Sequence, residues 1–224
     1  MIVFTVPANL DLYLTGFWWI LRLTVASAVI ALVLGVLLAA MRVSPIPVLR
    51  GFGAAWVNIF RNTPLTLIIF FCYFGLYANL GVSLSDDLDK NNFWLGVVGL
   101  SAYTGAFVCE AIRSGINTVP VGQAEAARAI GLSFSQTLRL IILPQALRAV
   151  IAPLGSVLIA LTKNTTIVGT IGIMEASSVM KQLINEFGSE TVTIFAVFAG
   201  GFVLFLVPLG YLFSWVSHRL AVKR

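Results

Sequence analysis

The chain has 224 residues and a formal net charge of +5, and 59% of its residues are hydrophobic whereas only 10% are charged. A soluble domain of this length needs considerably more charge to cover its surface, so this composition and a mean hydropathy of +0.98 exclude an ordinary soluble protein. Apolar runs of about 20 residues or more have the length that a helix needs to cross a bilayer. The sequence therefore predicts an all-α integral membrane protein, with residues 1–224 forming a single transmembrane domain.

Five transmembrane helices are predicted, each within an apolar run. In chain order the spans are Tyr13–Met41, Leu65–Leu80 (preceded by the short apolar piece Phe52–Phe60), Phe93–Ile112, Gln145–Ile173 and Val192–Val216. The first is longer than a bilayer requires, so we expect it to be tilted or to extend beyond the hydrocarbon core. The first eleven residues contain no Lys or Arg, so no cleavable signal peptide is expected.

Basic residues are distributed unequally between the two sides of these spans. One side carries Arg42, Arg50, Arg61, Arg113, Arg128, Arg139, Arg148, Arg219, Lys223 and Arg224, and the other carries Lys90 and Lys181. Because cytoplasmic segments are enriched in Lys and Arg, the N-terminus is predicted outside and the C-terminus in the cytoplasm. Trp18, Trp19 and Trp94 then lie near the outer interface and Trp215 near the inner one. The positive charge is thus explained by topology, and no nucleic-acid partner is expected.

Residues 119–144, between spans three and four, form a polar segment with helix signals on the side predicted to be cytoplasmic. Pro120 suits the first turn of a helix, and Gln123–Ile130 is rich in good helix formers. Gly131 can take the left-handed conformation that ends such a helix. The segment is therefore predicted to project from the membrane towards a soluble partner, with Glu125 and Arg128 near its tip.

A second short helix is predicted in the same segment. Ser133 and Gln136 have the spacing of a capping box, and Phe134, Leu138 and Ile141 then lie along one helix face. Pro144 marks the predicted start of span four. Two short helices joined by one glycine would form a rigid helical elbow.

Cysteine and histidine give no sign of metal or catalytic chemistry. Cys72 and Cys109 lie within apolar runs, which predicts small buried side chains, and the single His218 has no neighbouring ligand in the sequence. A membrane-embedded enzyme would need a nucleophile with its base, or a set of metal ligands. No catalytic residue and no metal site are expected.

The segment resembles the signature of the membrane subunits of ABC importers. Glu125-Ala126-Ala127, three residues, Gly131, nine residues and Ile141-x-Leu143-Pro144 fill every position of that pattern. Upstream, the residues from Arg61 to Leu65 resemble the R-x-T-P-L box of polar amino-acid permeases, as does the stretch from Ala102 to Glu125. The resemblance covers nearly the whole chain. It is strongest to actinobacterial glutamate-uptake permeases, notably in the segments 61–65, 89–93 and 161–166.

The resemblance implies a type I ABC importer permease core in a bacterial cell membrane, surrounded by lipid. Its implied partners are ATP-binding cassette ATPase subunits, a second permease subunit and an extracytoplasmic substrate-binding protein. The resemblance favours a paralogue as the second permease, with an identical copy as the alternative. The chain contains no P-loop pattern, so ATP and Mg²⁺ are expected on the ATPase and no cofactor on this chain. The implied ATPase-coupling residues are Glu125, Ala126, Ala127, Arg128 and Gly131, with the small alanines allowing close approach.

A polar patch interrupts the fourth span. Lys163, Asn164, Thr165 and Thr166 are candidate substrate-path residues, because ionisable groups inside a membrane usually face a cavity or a partner. Lys163 would attract a carboxylate, and a patch without acidic residues suits an anionic or neutral substrate such as glutamate, glutamine or aspartate. The alternative is structural: the lysine snorkels or pairs, and the threonines satisfy backbone at a helix break.

The sequence is compatible with more than one role for several other polar residues. Arg61 and Thr63, at the start of span two, are further candidate substrate-path residues. Arg61 is either a positive-inside anchor or a gate or interface residue, and Arg22 either snorkels outward or faces the substrate path. Glu110 and Arg113, three residues apart, predict a structural ion pair.

An ion-coupled secondary transporter or a channel is the alternative function, although secondary transporters usually have internal repeats and more spans.

Overall fold

The structure is a computed structural model that describes residues 2–220, and all regular secondary structure within these residues is helical. The α-helices are α1 Ile2–Thr5, α2 Pro7–Val43, α3 Pro47–Asn62, α4 Leu65–Phe70, α5 Leu88–Asn117, α6 Val121–Ala129, α7 Phe134–Thr137, α8 Leu143–Asn164, α9 Ala176–Glu186 and α10 Thr191–Leu220. Wider π-helical turns at Phe71–Asn79 and Leu138–Ile142 continue α4 and α7, whereas tighter 3₁₀ turns at Thr165–Ile171 and Gly188–Glu190 follow α8 and precede α10.

Prolines and capping groups set the ends of the long helices. Pro7 occupies the first turn of α2, where its missing N–H is harmless. The helix ends where the Ser44 N–H donates to the Met41 carbonyl oxygen, and Pro47 then begins α3. At the start of α5 the Asp87 carboxylate accepts the Lys90 N–H at 2.9 Å. Local sequence alone therefore accounts for where these helices begin and end.

Within residues 2–220, four helical segments are long and apolar enough to cross a membrane: Pro7–Val43, Leu88–Asn117, Phe134–Ile171 and Gly188–Val216. The helices Pro47–Asn62 and Leu65–Asn79 meet at 106° and form a fifth candidate span only when taken together as a bent pair. Thr63 is extended ahead of Pro64, the conformation that a following proline favours. The five predicted spans thus correspond to four long helices and one arm of this pair, and Phe52–Phe60 lies in the other arm.

The prediction of a short second helix that is separate from span four is wrong. The helix runs without interruption from Phe134 to Ile171, so the second helix of the elbow is continuous with the helix that contains span four. A π-helical turn makes this possible: the Leu143 N–H donates to the Leu138 carbonyl oxygen, five residues back. This widened turn immediately precedes Pro144, whose missing N–H would otherwise interrupt the α-helical pattern.

Small residues allow α2 and α5 to pack closely at the centre of the bundle. A Cβ atom on Gly35 would lie 2.3 Å from Val108 Cγ1, and one on Gly105 would lie 2.9 Å from Leu34 Cδ2. The Ser101 hydroxyl also donates to the Ser27 carbonyl oxygen at 3.3 Å. Close approach through glycine and an interhelical hydrogen bond are the interactions that hold helices together in lipid. Cys72 and Cys109 are buried in this interior, as predicted.

The bundle has two distinct ends. Residues 119–144 follow the C-terminus of α5 and include the start of the Phe134–Ile171 helix, and we call this the elbow end. The 3₁₀ turn Thr165–Ile171 and α9 lie at the other end, which we call the far end, because the span runs away from the elbow. Helix α9 was not predicted from the sequence, and its N-cap is the carboxylate of Glu175.

Candidate functional site

The elbow, residues 119–144, begins with α6 and turns at Gly131. Gly131 has φ +90°, a left-handed conformation that side chains with a Cβ rarely adopt. Its N–H donates to the Arg128 carbonyl oxygen at 2.9 Å, and the Leu132 N–H donates to that of Ala127 at 3.1 Å. These two hydrogen bonds form a Schellman motif, which satisfies carbonyls that the end of α6 leaves free. The predicted role of Gly131 in ending the helix is confirmed.

The next helix starts with the predicted capping box. The Gln136 N–H donates to Ser133 Oγ at 3.3 Å, and the Ser133 N–H donates to Gln136 Oε1 at 2.9 Å. Both hydrogen bonds satisfy N–H groups that have no partner within the helix. Capping at both sides of the turn gives the elbow a defined shape.

The predicted coupling residues differ in exposure. Glu125, Ala126 and Arg128 are exposed, whereas Ala127 is buried inside the elbow. Close approach to a partner therefore remains a prediction for Ala126, while Ala127 permits close packing within the elbow itself. Large apolar side chains are also exposed here, with Ile130 at 80% and Phe134 at 70%. Exposed apolar groups clustered around a polar segment are typical of an interaction surface.

The elbow contacts α8 and lies beside the contact between α5 and α8. Gln145 Nε2, in the first turn of α8, donates to Gln123 Oε1 of α6 at 2.5 Å. Just before the elbow, α5 packs on α8 so closely that a Cβ atom on Gly115 would lie 2.1 Å from Val150 Cγ2 and 3.0 Å from the Ala146 carbonyl oxygen. The elbow thus adjoins two closely packed helices, α5 and α8.

Three arginines from three helices surround Glu110, in an ion-pair cluster near the elbow end. Arg113 Nη2 donates to Glu110 Oε2 at 2.9 Å, which confirms the predicted ion pair. Arg42 of α2 also forms a hydrogen bond with Glu110, and Arg61 of α3 lies 3.5 Å from it. The side chain of Glu110 is only 19% exposed. One carboxylate thus connects α2, α3 and α5.

The polar patch of span four divides into a buried and an exposed face. Thr162 and Thr165 are fully buried, and the Thr165 hydroxyl donates to the Thr162 carbonyl oxygen at 2.8 Å. The Thr166 hydroxyl likewise donates to the Lys163 carbonyl oxygen at 2.9 Å. Lys163 itself is exposed, and Asn164 and Thr166 are half-buried. The threonines therefore satisfy backbone carbonyls where the helix tightens into 3₁₀ turns, as the structural alternative predicts.

A cavity of about 230 Å³ lies between α5 and α8 beside this patch. Its lining comprises Tyr103, Thr104, Phe107, Ser156, Val157, Ala160, Leu161 and Asn164. The guanidinium carbon of Arg61 lies 5.5 Å from the centre of the Phe107 ring, so the cavity is adjacent to the Glu110 cluster. The structure therefore brings both Arg61 and Asn164 close to this cavity. Thr63 is not part of the lining, and its hydroxyl donates to the Ile59 carbonyl oxygen.

Arg22 lies against aromatic rings of the far half of the bundle. Its guanidinium carbon is 4.6 Å from the centre of the Trp19 ring and 5.4 Å from that of Phe93. Cation–π contacts of this kind stabilise a charge that is only partly solvated.

Sequence reasoning missed Arg42 as a partner of Glu110, and it missed the cavity residues Tyr103 and Ser156. For Arg42 a signal was present, since Glu110 is the one carboxylate in its span and several arginines flank the same ends of the spans. No signal distinguished Tyr103 or Ser156 from ordinary span residues.

Residues 31–222 match the family described as the binding-protein-dependent transport system inner membrane component. The chain therefore belongs to this family, whose members are ABC transporter permease subunits. Within the family it is of the polar amino-acid type. It is 52% identical over 216 residues to the glutamate transport system permease protein of Corynebacterium efficiens, covering 94% of this chain and 95% of that protein. It is 38% identical over 215 residues to a probable glutamine ABC transporter permease protein of Bacillus subtilis, covering 95% and 94%.

Solved structures share the fold. An amino acid ABC transporter crystallised with histidines superposes with a TM-score of 0.86 at 26% identity, covering 97% of this chain and 98% of that chain. The MetNI methionine ABC transporter, in an inward-facing conformation, superposes with a TM-score of 0.72 at 21% identity, covering 95% and 98%. The predicted all-helical ABC importer permease fold is thereby confirmed.

Proposed function

We propose that this chain is the permease subunit of an ATP-driven importer of glutamate, with glutamine and aspartate as the nearest alternatives. The assignment of glutamate as the substrate depends on the 52% identity, over nearly the full length, to a glutamate transport permease. The exposed lysine of span four supports it, because a cation on the path suits a carboxylate-bearing substrate.

The elbow end is proposed to face the cytoplasm of a bacterial cell, and the N-terminus the outside. Arg42, Arg61, Arg113 and Arg128 all lie in or near the elbow end, as the positive-inside rule requires of the cytoplasmic side. Of the predicted basic tail, Arg219 is described, whereas Lys223 and Arg224 lie outside the described residues. The far end, with Lys90 and Lys181, then meets an external binding protein that supplies the substrate.

The elbow is proposed to dock into a groove on an ATP-binding cassette subunit, which alone binds ATP and Mg²⁺. The exposed side chains of Ala126, Ile130 and Phe134 supply an apolar contact surface, and Glu125 and Arg128 supply charges beside it. Because the elbow is capped at its turn and attached to α5 and α8, a movement of the ATPase reorients both helices. A second permease subunit, proposed to be a paralogue, completes the path.

The substrate path is proposed to follow the exposed face of span four at Lys163 and Asn164. A charged side chain on the lipid-facing surface of a span costs about 2.5–3.5 kcal/mol on insertion scales. That cost favours a water-filled path or a partner subunit, rather than lipid, against Lys163. Asn164 lines the cavity beside Tyr103 and Phe107, and Arg61 lies just beyond it towards the elbow end. The buried Thr165 is not proposed to touch substrate.

Replacing Lys163 with methionine is expected to lower ATP-driven glutamate uptake by about tenfold, because a charge-assisted hydrogen bond to the substrate carboxylate, worth about 1.5–3 kcal/mol, is lost. Radiolabelled glutamate uptake would be measured in proteoliposomes that contain both permeases, the ATPase and the binding protein. The matched control is Lys90→Met, which removes an exposed lysine from the far end.

Two results would contradict parts of the proposal. Normal uptake by Lys163→Met would remove Lys163 from the path. Uptake that persists without the ATPase subunit, driven by an ion gradient alone, would overturn the importer assignment in favour of a secondary transporter.

A further inference from the structure

A polar groove lies at the far end, between the last turn of span four and α9, with a volume of about 630 Å³. Besides Gly169 and Met174, its lining supplies one cation, one carboxylate, two amides and two hydroxyls. These are Lys181, Glu186, Gln182, Asn185, Thr170 and Ser178. Neither Lys181 nor Glu186 forms a salt bridge with another side chain among residues 2–220. Both charges are therefore available to a ligand.

A fully buried carboxylate holds one wall of this groove in place. Glu175 is 0% exposed and accepts hydrogen bonds from the Ser177 N–H at 2.7 Å and from the Ser178 N–H and hydroxyl, each at 2.8 Å. Burial raises the pKa of the Glu175 carboxyl, although these donors and Lys181 oppose the rise. Because Ser178 lines the groove, the buried cap of α9 also fixes the groove wall.

The floor and the wall of the groove are in close contact. A Cβ atom on Gly169 would lie 2.1 Å from Ser178 Oγ and 2.7 Å from Glu175 Oε1, so only glycine fits here. The 3₁₀ turn of span four therefore packs directly against the first turn of α9. The groove is a built feature of the fold rather than a gap between mobile loops.

The floor lies at the end of the helix that carries the proposed substrate path. Lys163 is in the last turn of α8, and Thr166 and Thr170 follow it in the 3₁₀ segment Thr165–Ile171. Lys163 and Thr170 are exposed and Thr166 is half-buried. The Thr170 hydroxyl donates a hydrogen bond to the Ile167 carbonyl oxygen at 2.7 Å. The hydroxyl oxygen can therefore accept a hydrogen bond from a ligand N–H.

We propose that this groove is an external binding site, which a zwitterionic amino acid occupies before it reaches Lys163. Lys181 binds a carboxylate of the ligand, and Glu186 together with the Thr170 oxygen binds its α-ammonium group. Opposite charges lining one groove match the two charges that every free α-amino acid carries. The assignment of this binding site rests on the proposed function, since the site would supply the substrate that the path then conducts.

The test is equilibrium binding of radiolabelled glutamate to the permease–ATPase complex in nanodiscs, without ATP and without the binding protein. A Lys163→Met background removes the path residue, so the remaining binding reports the groove. Lys181→Gln and Glu186→Gln are each expected to raise the Kd at least about fivefold, with Lys90→Gln as the control. Glutarate lacks the ammonium group, so it is expected to compete poorly.

Unchanged glutamate binding in both groove variants would overturn the proposed binding site. Intact glutamate binding with a weakened affinity for the loaded binding protein would also overturn it, and would identify the groove as a docking surface instead. Failure of the proposed function has a separate signature, namely no ATP-driven uptake by the unmodified assembly. The two failures are therefore distinguishable.

Discussion

Replacing Glu110 with glutamine is expected to reduce both the yield of folded permease and its uptake rate by more than about tenfold. Arg42, Arg61 and Arg113 converge on this one carboxylate, and Glu110 is mostly buried. Removing one partner from a buried ion pair destabilises a protein by about 3–5 kcal/mol, because the remaining charges are left uncompensated. The partial exposure of the arginines reduces that figure to an expected value of about 2–3 kcal/mol.

Thermal unfolding of the purified permease and glutamate uptake would measure this effect. Asp89→Asn is the matched control, since Asp89 is an exposed carboxylate at the far end of the same helix. Equal behaviour of the Glu110 and Asp89 variants would mean that the cluster does not hold α2, α3 and α5 together.

Gly115→Ala is expected to be the second most damaging substitution, because it separates α5 from α8 directly beside the elbow. The new Cβ atom would lie 2.1 Å from Val150 Cγ2, and the nearby Ala146 carbonyl oxygen is backbone that cannot easily move. Overpacking of this kind costs about 1–3 kcal/mol. Uptake is expected to fall together with thermal stability.

A double variant tests whether overlap with Val150 causes the loss of stability. Val150→Ala removes the nearest atom, so the pair Gly115→Ala and Val150→Ala is expected to recover much of the stability that Gly115→Ala loses. Gly122→Ala is the control, because nothing lies within 4 Å of a Cβ atom there. A Gly115→Ala protein as stable as the Gly122→Ala protein would contradict the close packing of α5 on α8.

The elbow was largely predictable from sequence because its structure depends on local interactions. Gly131 adopts the expected left-handed conformation, and Ser133 and Gln136 form the expected capping box. Both features involve residues that are close together in the sequence. For such residues, backbone geometry and side-chain chemistry are sufficient to predict the local structure. The ion pair of Glu110 with Arg113 was predictable for the same reason.

Features that depend on contacts between distant residues were missed or wrongly placed. One local feature was also misplaced, since the second helix of the elbow was predicted to be short, but a π-helical turn joins it to the helix of span four. The pairing of Arg42 with Glu110 joins residues 68 positions apart. In the polar patch, spacing alone could not show that Thr165 faces the interior and Lys163 the surface. The groove beside α9 requires the fold, since its floor and its wall belong to different helices.

The elbow is proposed to be the contact through which ATP hydrolysis drives transport. Ala126→Trp places a bulky side chain on its exposed surface, and ATPase co-purification and ATP-driven glutamate uptake would be measured on the same preparation. Ala78→Trp, at an exposed alanine of the far end, is the control. The predicted result is a folded permease that loses the ATPase and its uptake, whereas Ala78→Trp keeps both. Retention of the ATPase and of full uptake by Ala126→Trp would contradict the claim.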